Sequence, residues 1–162
     1  MVIDIHQIRH WLEMVKDPEI PVLSISDLGV LRDVKIAEDG AVEVVITPTY
    51  SGCPAMNTIE EDIKRMFKRK GIQSFRIIQQ IHPPWTTDWM SEEAREKLRK
   101  FGIAPPEGSA DKAALLGKTR HVKCPQCGST HTELKSQFGS TACKAMYQCQ
   151  DCKEPFDYFK CL

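Results

Sequence analysis

Two Cys-x-x-Cys pairs, Cys124-Pro125-Gln126-Cys127 and Cys149-Gln150-Asp151-Cys152, constrain this chain more than any other feature, with 21 residues between them. Two thiolates three positions apart in a tight turn can both reach one ion at about 2.3 Å, and two such knuckles complete a tetrahedral shell. The spacing predicts a small zinc-ribbon-like β domain with Cys124, Cys127, Cys149 and Cys152 on Zn2+. An iron–sulfur cluster is the alternative, because four thiolates suit either. Such a site contributes roughly 10–16 kcal/mol of binding free energy to a domain too small for a sufficient core. It would not catalyse, since four thiolates leave zinc no position for an activated water. Cys143 and Cys161 are the surplus cysteines here, either buried small hydrophobes or alternate ligands. His121 and His131 flank the first knuckle, but four cysteines make them redundant.

Six of the seven cysteines lie between Cys124 and Cys161. That odd, clustered set reads as metal-binding in a reducing compartment, not as a disulfide framework. The opening MVIDIHQIRHW carries charges, so it reads as neither signal peptide nor membrane span, and no later run is long enough to cross a bilayer. A cytoplasmic protein without membrane contact is expected. Lys plus Arg and Asp plus Glu are both 22, a net charge of zero, which argues against nucleic acid as the partner. The ribbon's own basic surplus is cancelled by the net charge of zinc with four thiolates.

The first part of the chain reads as α+β. Apolar residues at Ile5, Ile8, Leu12 and Val15 predict a helix from Asp4 to Lys16, stopped by Asp17-Pro18-Glu19. Period-two patterns on either side of Glu38-Asp39-Gly40 predict a hairpin between Leu31 and Thr47. Cys53-Pro54 opens a second helix with an apolar stripe of Met56, Ile59, Ile63, Met66 and Phe67. Pairs Glu60–Lys64 and Glu61–Arg65 are expected on its surface, with Gly71 as its cap. A third strand is expected from Ser74 to Ile81. These elements make a small sheet of about three strands covered by helices, over residues 1–82. Residues 83–118 read as a helix from Glu92 to Phe101, between Ser91 and Gly102, followed by the linker Ala104 to Ser109. Residues 119–162 form the ribbon.

Cys53 lies apart from the other cysteines, where a strand passes into a helix. Unsatisfied amides there favour negative charge, which suits a reactive thiol or a transient ligand for iron or a cluster. The competing reading is an inert buried cysteine. Asp17, Glu19 and Asp27 could supply charge nearby. The sequence contains no Gly-rich nucleotide loop, no Glu-x-x-His pair for a di-iron centre and no dinucleotide fingerprint.

The stretches Asp17-Pro18-Glu19-Ile20-Pro21, Asp27-Leu28-Gly29 and Thr49 to Pro54 resemble the SufT-like iron–sulfur assembly family over about the first 82 residues. That resemblance implies a functional thiol at Cys53. Over the whole chain, Pro84 to Trp89, Gly102 to Pro106, Phe138 to Thr141 and Glu154 to Phe156 resemble one branch, the PaaD family of bacterial phenylacetyl-CoA epoxidase systems. The implied role is a non-catalytic accessory or maturation subunit in aerobic phenylacetate degradation, assisting iron or cluster assembly on partner subunits or iron–sulfur clients. An iron–sulfur electron-transfer subunit of the same system, or a thiol-dependent enzyme using Cys53, are the alternatives.

Overall fold

The computed structural model describes residues 4–106 and 122–160. The chain divides into two compact units, 1–85 and 86–162.

In the first unit, helix α1 (Ile5–Leu12) starts where the Asp4 carboxylate accepts the His6 amide at 2.9 Å. It stops well short of the expected Lys16. The Met14 and Val15 amides tighten onto Trp11 and Leu12 carbonyls, and Lys16 pairs with Ser24 in an antiparallel bridge. The chain leaves the helix to pair with residues 23–25: the Ile25 amide reaches the Val15 carbonyl at 3.0 Å and the Asp17 amide the Leu23 carbonyl at 2.9 Å. The Asp17 carboxylate accepts the Glu19 and Ile20 amides at 2.8 and 2.7 Å and closes the next turn. Val15 is therefore buried by this turn and not by a helix face.

Strands β1 (Leu31–Ile36) and β2 (Val42–Ile46) form the expected hairpin, with Gly40 at φ +80° in its turn. Helix α2 (Ala55–Arg69) carries the chain to β3 (Phe75–Gln79), which lies parallel to β2 and gives the order β1-β2-β3. Met56, Ile59, Ile63 and Phe67 of α2 are buried, and the Phe67 ring meets Phe75 edge-on at 5.1 Å. Met66, expected in the same stripe, is only half-buried. The surface ion pairs also differ from expectation. Lys64 meets Glu61 and Arg65 meets Asp62, three residues apart, while Glu60 accepts from Gln79 across to β3.

The second unit opens with a 3-10 turn (Thr87–Trp89) and helix α3 (Glu92–Phe101). Ser91 Oγ caps α3 by accepting the Ala94 amide at 3.0 Å, and Gly102 takes the left-handed conformation (φ +90°) that closes it. A four-stranded sheet follows, ordered β4-β7-β6-β5: β4 (Ile103–Ala104), β5 (Thr132–Ser136), β6 (Lys144–Cys149) and β7 (Pro155–Phe159). Ala104, expected to begin a linker, instead pairs with Tyr158 in a short parallel ladder and is buried. The remainder of that linker reading, Glu107 to Ser109, lies outside the described residues. Tyr147, Phe156, Tyr158 and Leu134 pack with Cys124 and Cys149 into one small core, so these aromatics are turned into the ribbon. No helix among the described residues is long and apolar enough to cross a membrane.

Truncating a buried ring leaves a cavity, so Phe67→Ala should cost about 3–5 kcal/mol. Met66→Ala, on the same turn, should cost less than about 1 kcal/mol because it leaves no core void. Urea midpoints followed by circular dichroism on the full chain separate the two.

Candidate metal centre

The four knuckle sulfurs converge. Cys124, Cys127, Cys149 and Cys152 bring their Sγ atoms within 4.8 Å of one another, with Cys124–Cys152 at 3.7 Å and Cys127–Cys149 at 3.5 Å. These separations are too long for disulfides. They fit a tetrahedron whose centre is about 2.3 Å from each sulfur and whose edge is about 3.8 Å.

Each knuckle is shaped by its own backbone. The first closes through the Gly128 amide to the Cys124 carbonyl at 2.9 Å, with Gly128 at φ +76°. Cys149 ends β6, and its amide reaches the Glu154 carbonyl at 3.0 Å to close the second. Amides also point at sulfur. The Cys152 amide, helped by the Asp151 amide against burial, brings the Cys149 thiol down to about 7. At Cys152 the Glu154 amide acts in the same sense, but burial and the sulfurs of Cys149, Cys127 and Cys124 outweigh it and push the thiol up to about 12. Four sulfurs this close cannot all ionise without a cation among them. The donor set therefore fits a thiophilic metal, which displaces those protons as it binds.

A polar clasp ties the two knuckles together outside the sulfurs. Ser129 Oγ donates to Asp151 Oδ2, and His131 Nδ1 stands 3.2 Å from Asp151 Oδ1. The hydrogen bond from Ser129, then that from His131, hold the Asp151 carboxyl below its ordinary range. His131 thus faces a carboxylate and lies outside the sulfur tetrad. His121 and Cys161 lie outside the described residues. Cys143 is buried with Thr141 Oγ1 at 3.0 Å from its sulfur. It precedes β6, whose opposite end carries Cys149. Six residue steps along the strand put Cys143 and Cys149 about 20 Å apart, far beyond a metal bond.

Cys53 occupies a different environment. Its amide bonds the Tyr50 carbonyl at 3.2 Å and its carbonyl accepts from Met56, which places the thiol just before α2. The residue is nearly buried, with the Thr49 hydroxyl at 3.9 Å from its sulfur. Gly52 is at φ +75°, and a Cβ there would meet nothing within 4 Å. Glycine is thus required by the backbone, while the side of the turn it occupies is open. Asp17 binds the amides noted above. Asp27 and Ser24 cap each other, the Ser24 amide reaching Asp27 Oδ2 and the Asp27 amide reaching Ser24 Oγ, both at 3.0 Å. These acids organise the turn before β1. Sequence reasoning missed the Ser129–Asp151–His131 clasp. Its only signal was an acid inside the second knuckle with Ser and His just past the first.

The comparisons with known proteins follow the same division. Residues 5–70 match a family described as an iron-sulfur cluster assembly protein, and residues 108–160 match the PaaD zinc beta ribbon domain. An Escherichia coli K12 protein named as a "Putative 1,2-phenylacetyl-CoA epoxidase" component is 49% identical over 98% of this chain and 93% of its own length. An Fe-S protein maturation auxiliary factor of Porphyromonas gingivalis is 41% identical over 56% of this chain and 87% of its own. Among solved structures, a domain of unknown function, DUF59, from Bacillus anthracis superposes with TM-score 0.54 at 28% identity, covering 58% of this chain and 90% of that one.

Because these four sulfurs alone converge among the described residues, Cys149→Ser should abolish metal retention while Cys143→Ser leaves it intact, read as metal per chain by mass spectrometry. Asp151→Ala should keep the metal but weaken it about tenfold, through lost orientation of the knuckles. In all variants affinity should fall as pH falls, since protons compete for the thiolates.

Proposed function

We propose that this chain, which belongs to the PaaD family, is an accessory maturation factor that delivers iron or an iron–sulfur cluster to partner subunits. The partners would be other subunits of a phenylacetyl-CoA epoxidase system in the cytoplasm, or iron–sulfur clients of related chemistry. The place in aerobic phenylacetate degradation rests on the kinship with the Escherichia coli epoxidase component, and the delivery role on the kinship of the first unit with maturation factors.

The observation that carries the reading is the contrast between two kinds of cysteine site. The ribbon offers four thiolates, which close a zinc shell and leave no open coordination position. We assign Zn2+ there, as a structural ion that holds the ribbon for docking. Cys53 offers one sulfur, nearly buried, beside a hydroxyl and an open glycine turn. One soft ligand can accept iron or a cluster from a donor and yield it to a client with more ligands. The cargo is therefore a substrate of Cys53 and not a resident of the ribbon.

The Cys53 surroundings favour this over a thiol-dependent enzyme. A nucleophilic cysteine is commonly activated by a base within hydrogen-bond reach. Among the described residues the polar group at the Cys53 sulfur is the Thr49 hydroxyl, which cannot take its proton at neutral pH.

Cys53→Ser separates the roles. Epoxidase activity reconstituted from already metallated partner subunits should be unchanged, whereas activity after co-expression with partners made as apo chains should fall about tenfold or more. Equal loss in both assays would reject delivery in favour of a direct part in turnover. Metal analysis of protein purified without oxygen should give one zinc per chain. Iron with acid-labile sulfide in the ribbon would instead make the chain an electron-transfer subunit.

A further inference from the structure

We infer that a basic cleft beside the second half of α2 docks an acidic amphipathic segment of a partner protein. The cleft, about 540 Å³, lies between α2 and the residues that follow α1, far along the helix from Cys53. Asp62, Arg65, Met66 and Arg69 line it from α2, at spacing i, i+3, i+4, i+7, and Lys70 follows. They form a second stripe on α2, beside the buried one of Ile59, Ile63 and Phe67. Met14, Val15 and Lys16 line the other wall. The early end of α1 and the pairing of Lys16 with Ser24 put them there, since a helix continued to Lys16 would have placed them differently.

The cleft's charge is one-sided. Lys16, Arg65, Arg69 and Lys70 face a single acid, Asp62, in a chain with no net charge. Arg65 pairs with Asp62 at 3.0 Å, and the Lys70 ammonium lies 5.0 Å from the centre of the Trp11 ring. Lys16 and Arg69 meet no carboxylate among the described residues, although Lys64 and Arg65 of the same helix both do. Between these cations sits apolar surface. Met14 is 52% exposed, and Met66 leaves the core stripe to lie half-buried in the cleft wall. Methionine packs adaptably against varied apolar partners.

This mixture selects the occupant. A compact phosphate is gripped where backbone amides converge at a helix N-terminus. Here Arg65, Arg69 and Lys70 follow the C-terminal end of α2, where the helix dipole disfavours a concentrated anion, and Lys16 faces them from the other wall. Carboxylates spaced along an apolar segment match both the cation spacing and the methionines. A partner helix with Glu or Asp on one edge and Leu or Met on its face fits that description. The inference relies on the accessory role only for the existence of a partner, and binding is read separately from maturation.

The test titrates the full metal-loaded chain with a synthetic helical peptide carrying Glu on one edge and Leu on its face. Pyrophosphate and vesicles of phosphatidylglycerol are titrated in parallel. The peptide should bind and shift the Met14 and Met66 methyl resonances, with affinity falling as salt rises. The double variant Lys16→Glu/Arg69→Glu should weaken it about tenfold, and a Lys-for-Glu version of the peptide should recover binding to that variant. Lys100→Glu, on α3, should leave binding unchanged. No peptide binding, methyl shifts elsewhere, equal affinity in the double variant, or tighter occupation of the cleft by pyrophosphate or vesicles would each overturn the inference.

Discussion

The second unit depends on four sulfur atoms meeting at one point. Cys124 and Cys149 are at once metal-site residues and members of the ribbon's core, beside Tyr147, Phe156 and Tyr158. The stacked Tyr147–Phe156 and edge-on Tyr147–Tyr158 pairs orient β6 and β7, and β6 delivers Cys149 at its end. Without a cation the four sulfurs would take up protons and lose the bond that ties them together, in the same place where the aromatic core is anchored. With so few buried side chains, that core cannot compensate. The clasp between Ser129, Asp151 and His131 extends the same constraint outward, linking one knuckle to the other through groups outside the sulfur tetrad.

In the first unit the corresponding organiser is α2, which has three chemically distinct regions. Its buried stripe fixes it to the sheet through Phe67 and Phe75. Its N-terminal approach holds Cys53 in a turn that Gly52 alone makes possible, because φ +75° is strained for residues with a side chain. Its C-terminal half carries Arg65 and Arg69 of the cleft, with Lys70 just beyond. Because one rigid helix bears all three, burial of the stripe positions both the thiol and the basic surface. A change in the core would be felt at each end, whereas a surface change would not.

Much of this is legible in the sequence wherever the signal is local. Helix α3 has the expected bounds because Ser91 and Gly102 act within one turn of its ends. The β1–β2 hairpin follows from alternation around Asp39-Gly40. The knuckle cysteines are legible from spacing alone. What the sequence hides is set by contacts between distant residues. Ile103 and Ala104 show no period, and only β7 makes them a strand. Val15 keeps the helical spacing, yet its carbonyl accepts the Ile25 amide and Lys16 pairs with Ser24, so the helix ends early. Met66 adjoins Phe67 and so falls on the apolar stripe by spacing, but the structure turns it to a cleft wall that the residues after α1 complete.

The proposed pairing of a zinc-saturated ribbon with a single cargo-binding thiol would carry a thermodynamic consequence. A structural ion must be held in every state of the cycle, so its site benefits from four thiolates, amide hydrogen bonds to sulfur and a closed shell. A cargo must be released, so its affinity for the carrier has to lie below that of the client. One sulfur with a weak hydroxyl neighbour satisfies the second requirement and fails the first. A carrier assembled this way needs some other source of affinity for the client, since Cys53 cannot hold both cargo and partner. Surface recognition elsewhere on the chain, as proposed for the basic cleft, would supply it by raising the local concentration of the receiving ligands without tightening the cargo site. Under that reading, separation of the thiol from the cleft along α2 would be a requirement of transfer: the partner could be held while the metal is let go.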